Sequence, residues 1–99
     1  MALLQTSVKK DDIITIRTVQ GFEVVAEFVS ESSTSIKVNK PLLVEGSTTN
    51  KETGLLKILW AKLGITFATL DTVEINSVNI LIAGSTDEDI EGQYKTAVA

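Results

Sequence analysis

The chain of 99 residues contains no cysteine and no histidine. Without cysteine there is neither a disulfide nor thiolate chemistry, and without histidine the commonest general base and the commonest metal ligand are both missing. Zinc sites and Ser-His-Asp or Cys-His catalytic sets are excluded by inventory alone, so the expectation is a protein that is not an enzyme and holds no cofactor and no metal. Proline occurs once, at Pro41. No apolar run approaches the roughly 18 residues of a membrane span. The opening Met1-Ala2-Leu3-Leu4 is too short and too soon polar to read as a signal peptide. Asn39, Asn50, Asn76 and Asn79 all lack a Ser or Thr two residues on. A soluble, cytoplasmic protein with no membrane partner is expected.

What is present pulls two ways. This length makes one domain with a single core. Mean hydropathy is +0.21 and 43% of residues are hydrophobic, which is high for a domain that leaves much of its chain exposed even when folded. A subunit interface is the simplest place for the surplus, although a tightly packed β-core also accommodates it. The net charge of −4 is unevenly placed. Residues 87–99 carry Asp87, Glu88, Asp89 and Glu91 against Lys95, a net of −3, and the remaining nine acids and eight bases nearly cancel. That distribution permits a local basic patch without arguing for one.

Residues 1–12 show no clean period and end in Lys9-Lys10-Asp11-Asp12, an extended arm. Ile13 to Val19 is β-branched almost throughout and predicts a strand, and Gln20-Gly21 predicts a tight turn. Phe22, Val24, Ala26 and Phe28 then alternate with Glu23, Val25, Glu27 and Val29, which predicts a half-buried strand with both aromatics on one face. After the polar turn Glu31-Ser32-Ser33-Thr34, residues 35–39 alternate again and complete a three-stranded meander. Lys40-Pro41 marks a bend, with Leu42-Leu43-Val44 continuing beyond it. Residues 45–54 form a polar, glycine-bounded loop, expected to be exposed and mobile.

The segment 55–67 fits two readings. Leu55, Leu59 and Leu63 recur at helical spacing, whereas Ile65-Thr66-Phe67 and the flanking strands suit a β-element with Gly64 as a kink. Val73-Glu74-Ile75 and Val78 to Ile82 are strand-like. Ser85-Thr86-Asp87-Glu88 has the form of a capping box, with Ile90, Tyr94 and Val98 along one face and Glu91 placed to pair with Lys95. A short helix is predicted over 86–97.

A bent meander, a loop and two further strands in this length resemble the Sm/LSm barrel. Gly21 stands where that family has the glycine of its first hairpin, and Phe22 to Val38 resembles its second and third strands. Ile75-Asn76-Ser77-Val78-Asn79-Ile80 is similar to the family's second signature, Ile-Arg-Gly-x-Asn/Asp-Val/Ile. A closer likeness is to the Sm-like proteins of marine, cyanophage-type phages. It rests on Gly21 to Glu27, the Lys40-Pro41 step, the polar loop, Trp60, and Asp87-Glu88-Asp89-Ile90 with Tyr94-Lys95. A phage origin would make the compartment the cytoplasm of a host cell. The resemblance covers about residues 12–84 and departs in placing the helix last. It implies a mainly β fold: a small, strongly bent five-stranded antiparallel Sm-like (SH3-like) barrel over 13–84, within a single domain 1–99, followed by a short C-terminal helix.

The resemblance also implies a homo-oligomeric ring, closed by pairing the fourth strand of one subunit with the fifth of the next. Leu55, Ile58, Trp60, Val78 and Ile80 are the candidate interface, with Trp60 read as packing and not as a base-stacking platform. Family members bind single-stranded nucleic acid in the ring lumen through an Asn, an aromatic and an Arg-Gly pair. Here Ser35 (or Thr34) stands at the Asn, Asn76 at the Arg and Ser77 at the Gly, and no aromatic lies in 30–39. Lys37 and Lys40 are near enough to reach phosphate. The expected function is a ring that binds single-stranded nucleic acid, RNA before DNA, in RNA or DNA processing. The alternative is a ring-shaped structural or protein-interaction adaptor that binds none, with Asn76-Ser77 an ordinary polar turn. Helix capping and solvation account for Asp87-Glu88-Asp89 and Asp11-Asp12 better than ion binding does, and no phosphate loop occurs.

Overall fold

A computed structural model describes residue 4 and residues 7–62 and 72–99. In chain order the elements are β1 (Ile13–Thr18), β2 (Glu23–Glu31), β3 (Ser35–Thr49), β4 (Leu56–Lys62), β5 (Thr72–Asn76), a single 3-10 turn (Ser77–Asn79), β6 (Ile80–Ser85) and α1 (Glu88–Val98). The strands form one antiparallel sheet in the order β4-β3-β2-β1-β6, with β5 also on β3. The long β3 serves both: residues 42–49 pair with β4 and residues 35–39 with β5. The sheet is therefore five positions wide, with one outer position shared by two strands. It curls strongly into a half-barrel, and among the described residues no ladder joins β6 to β4 or β5.

Local chemistry explains the curl. The β1–β2 connection is held by Thr18, whose hydroxyl accepts from the Phe22 N–H at 3.1 Å, while Gly21 takes φ +95°. L side chains rarely adopt that conformation, which accounts for glycine at the position. At the Lys40-Pro41 step β3 bends without ending. Val25 pairs with Leu42 and Glu27 with Asn39, so Ala26 faces two residues of β3, a β-bulge with Lys40 at φ +49°. Proline, which has no N–H to donate, is tolerated at such a bulge.

Both faces of the sheet are packed. On the inner face Ile14, Ile16, Ala26, Phe28, Ile36, Val38 and Ala83 are buried, with Val8, Val73, Ile75 and Ile80 against them. Each fully buried aliphatic side chain there contributes about 2 kcal/mol. On the outer face α1 lies across the sheet, and Tyr94 is buried with Ile13 and Val25, flanked by Leu42, Val44, Trp60, Ile90 and Val98. The helix thus uses the predicted Ile90, Tyr94 and Val98 face, and Glu91–Lys95 forms at 3.3 Å.

Several expectations are corrected. Strand β2 is buried on both faces at its centre, because the helix covers Val25. Phe22 is exposed in the turn and does not share the inner face with Phe28. The first half of the 45–54 loop is strand, since β3 runs to Thr49 and only the turn Asn50–Gly54 remains. The helix is capped by Asp87, whose carboxylate accepts from the Asp89 N–H at 3.2 Å, while Ser85 of the expected capping box belongs to β6. Residues 56–62 are strand, which decides the ambiguity there. Leu63, the Gly64 kink and Ile65-Thr66-Phe67 lie outside the described residues, as does most of the arm.

Candidate nucleic-acid interface

The β2–β3 turn and the β5–β6 connection are far apart in sequence and adjacent in space. Strands β3 and β5 pair so that Ser35 faces Asn76, Lys37 faces Glu74 and Asn39 faces Thr72. Just beyond this ladder the Ser77 N–H donates to the Thr34 carbonyl at 2.7 Å. Ser35, Lys37, Asn76 and Ser77 are thereby gathered at one junction, with Lys40 a short way along β3. A 3-10 turn carries the chain here from β5, which pairs with β3, to β6, which pairs with β1. Asn76 caps it, its side-chain oxygen accepting from the Val78 N–H at 3.1 Å.

The junction is densely hydrogen-bonded. Ser32 Oγ accepts from the N–H groups of Thr34 and Ser35 at 3.2 and 3.1 Å, which fixes the turn. The Ser35 side chain is buried and donates to Glu74 Oε1 at 2.6 Å. Thr72 Oγ1 donates to Asn39 Oδ1, also at 2.6 Å. Asn76 is exposed, Ser77 is half-buried, and Lys37 and Lys40 are both exposed. The carbonyl of Lys40 is held by the Tyr94 hydroxyl at 2.6 Å, which anchors the backbone that carries its ammonium.

The electrostatics are mixed. Lys37 is opposed across the ladder by Glu74, so the junction offers hydroxyls, an amide and one carboxylate beside its lysines. Arg17, the chain's single arginine, lies elsewhere, by a shallow depression on the outer face with Thr15, Glu23, Ile82 and Gly84. Glu74, Asn39 and Thr72 were not singled out from sequence. The alternation Val73-Glu74-Ile75 puts Glu74 on the face away from the core, but nothing in it names Ser35 as its partner. Among the described residues no group of three or more Asp, Glu, His or Cys side chains is arranged to hold a metal ion. No described helix is long and apolar enough to cross a membrane.

The proposed interface residues fall in different settings. Leu55 is 67% exposed just before β4 and Val78 is 74% exposed on the 3-10 turn. Leu56 and Leu59 on β4, and Leu81 and Ile82 on β6, are exposed as well and were not among the expected residues. Ile58 is buried on β4, and its N–H is bonded by Gln93 of the helix. Trp60 meets Tyr94 edge to face, with ring centroids 6.0 Å apart. Ile80 is half-buried against the inner core. The two outermost strands of the sheet, β4 and β6, thus both carry exposed aliphatic side chains. No protein-family model matches this chain, and no curated protein matches it.

Proposed function

We propose that this chain is an Sm-like subunit that joins copies of itself head to tail into a ring, and that the ring binds single-stranded nucleic acid, RNA in preference to DNA, in RNA or DNA processing. One observation carries the reading: the Ser77–Thr34 contact unites the two segments in which the family resemblance locates the base pocket. Hydroxyl and amide groups at such a junction suit the edges of unstacked bases and the 2′-hydroxyl that only RNA supplies. Lys37 and Lys40 are available to phosphate. With no aromatic plane in 30–39 each subunit binds weakly, and repetition around a ring supplies avidity. The ring itself is supported by the unlike apolar edges. Leu55, Leu56 and Leu59 at one side and Val78, Leu81 and Ile82 at the other suit a heterologous contact, which closes when the rotation permits.

A second reading, a ring that serves as a structural or protein-interaction adaptor, is favoured by the commitment of the Ser35 hydroxyl to Glu74. Light scattering with and without short oligo-U and oligo-A, and fluorescence anisotropy across a salt series, separate the two. A nucleic-acid ring gives affinity that falls steeply with salt and is abolished by joint Lys37→Ala and Asn76→Ala substitution. Absence of binding at every salt concentration leaves the adaptor. A monomeric mass under all conditions removes the ring.

A further inference from the structure

Among the described residues β4 is an edge strand, and its outward backbone groups at Leu56 and Ile58 are occupied by a side chain. Gln93 Oε1 accepts from the Ile58 N–H at 2.8 Å, and Gln93 Nε2 donates to the Leu56 carbonyl at 2.7 Å. Backbone groups alternate in direction along a paired strand, so the C=O of Leu56 and the N–H of Ile58 are the two a further strand would use beside Lys57. A primary amide carries the same donor and acceptor as a peptide group and substitutes for one here. Its place is fixed by the next residue: Tyr94 is fully buried, with its hydroxyl on the Lys40 carbonyl at 2.6 Å and its ring against Trp60. The need for cover is plain from the strand, which exposes Leu56 and Leu59 with Lys57 as the one charge between them. An apolar edge with open backbone groups is a template for uncontrolled pairing.

We propose that Gln93 is an edge clasp. Its amide stands in for a neighbouring strand at Leu56–Ile58, and so confines strand joining by a second copy of this chain to the Trp60–Lys62 end of β4. The partner rests on the ring reading above; the clasp does not. Ile90 and Val98 hold α1 to the sheet through packing and Tyr94 adds a hydroxyl bond to β3, whereas Gln93 alone, among the described residues of the helix, bonds the edge backbone of β4 twice.

The test uses the full chain with Gln93→Met, which keeps length and apolar contact but neither hydrogen bond. Amide hydrogen exchange at Ile58 is measured in dilute solution and mass is measured by light scattering over a concentration series. Ile90→Ala serves as the control, because it trims one packing contact of the helix and leaves both amide hydrogen bonds in place. The expected result is a loss of about tenfold in Ile58 protection, the equivalent of one net hydrogen bond. The mass of Gln93→Met shifts to larger, concentration-dependent assemblies, and that of Ile90→Ala stays as in the parent. Retained Ile58 protection in dilute Gln93→Met, an unchanged mass distribution, or the same shift in Ile90→Ala would each overturn the clasp. If Gln93→Met does not fold, Gln93→Glu keeps the acceptor for Ile58 and loses the donor for Leu56; Ile58 is expected to stay protected, and its exposure counts against the proposal. A parent chain that is monomeric throughout removes the ring, and the clasp is then judged by whether Gln93→Met self-associates.

Discussion

Replacing Tyr94 with phenylalanine removes one oxygen atom from the centre of the helix seat and leaves the ring in place. That oxygen donates to the Lys40 carbonyl at 2.6 Å from a side chain that is 0% exposed. The variant therefore forfeits one buried hydrogen bond and leaves the Lys40 carbonyl to find water, a loss of about 1–1.5 kcal/mol at neutral pH. Tyr94→Ala also empties the space between Ile13, Val25 and Trp60, and is expected to cost about 3–5 kcal/mol. The phenol adds a signature that packing alone cannot produce. Burial, aided by the Glu27 carboxylate, pushes its pKa from 10.0 up to about 12. Below pH 10 the phenol is protonated in both states. As pH rises from 10 to 12 the unfolded chain loses the proton while the folded chain keeps it, so stability falls across that window by about 2–3 kcal/mol. Urea unfolding of the parent and Tyr94→Phe, at about pH 8 and about pH 11.5, isolates the effect. Every other group is common to both proteins and cancels in the difference. The advantage of the parent should close as pH rises and reverse by about pH 11.5, where the loss of roughly 2 kcal/mol exceeds the value of the hydrogen bond. Parallel losses, or a Tyr94→Phe variant within about 0.3 kcal/mol of the parent at pH 8, would refute the reasoning.

Three further predictions concern two glycines and one charge. At Gly21 a Cβ meets no atom within 4 Å, but φ is +95°, so Gly21→Ala is expected to destabilise by about 1 kcal/mol through backbone strain alone. Gly92 is equally open and lies inside α1, so Gly92→Ala is expected to stabilise by about 0.5–1 kcal/mol; thermal unfolding of the pair checks the opposite signs. Under the nucleic-acid reading, Glu74→Gln removes the junction's carboxylate and should tighten oligo-U binding about fivefold at low salt; weaker binding in anisotropy titrations would mean that the carboxylate itself holds the RNA.

The strands were legible wherever one face meets water, because alternation of side chains is a direct record of two different environments. Residues 35–39 belong to this class, whereas 13–18 were legible through their β-branched side chains. Residues 55–62 were not, since Ile58 is covered by the helix and Leu55, Leu56 and Leu59 are exposed apolar side chains; an apolar residue does not say which of those two it is. Phe22 misled for the same reason. The Lys40-Pro41 bend was legible through proline's missing donor, yet the bulge opposite Ala26 was not, because it depends on the partner strand. At the candidate site the family resemblance pointed to Ser35, Asn76 and Ser77, but nothing in the sequence gave a sign of Glu74, whose partner is 39 residues away and is chosen by register. Gln93 was invisible for a related reason: an exposed-looking glutamine on a helix carries no mark of the strand it reaches.

The sheet's two packed faces have a consequence for how the protein can change. Ile13 and Ile14 are consecutive, as are Val25 and Ala26, yet in each pair one residue belongs to the helix seat and the other to the interior of the curl. Neighbours in sequence thus answer to separate sets of contacts, and substitutions on opposite sides of the wall couple only through the backbone between them. The seat for α1 can be recut without disturbing the packing around Phe28, and the interior can be refilled without loosening Tyr94. One strand carries two independent histories, written in alternate positions.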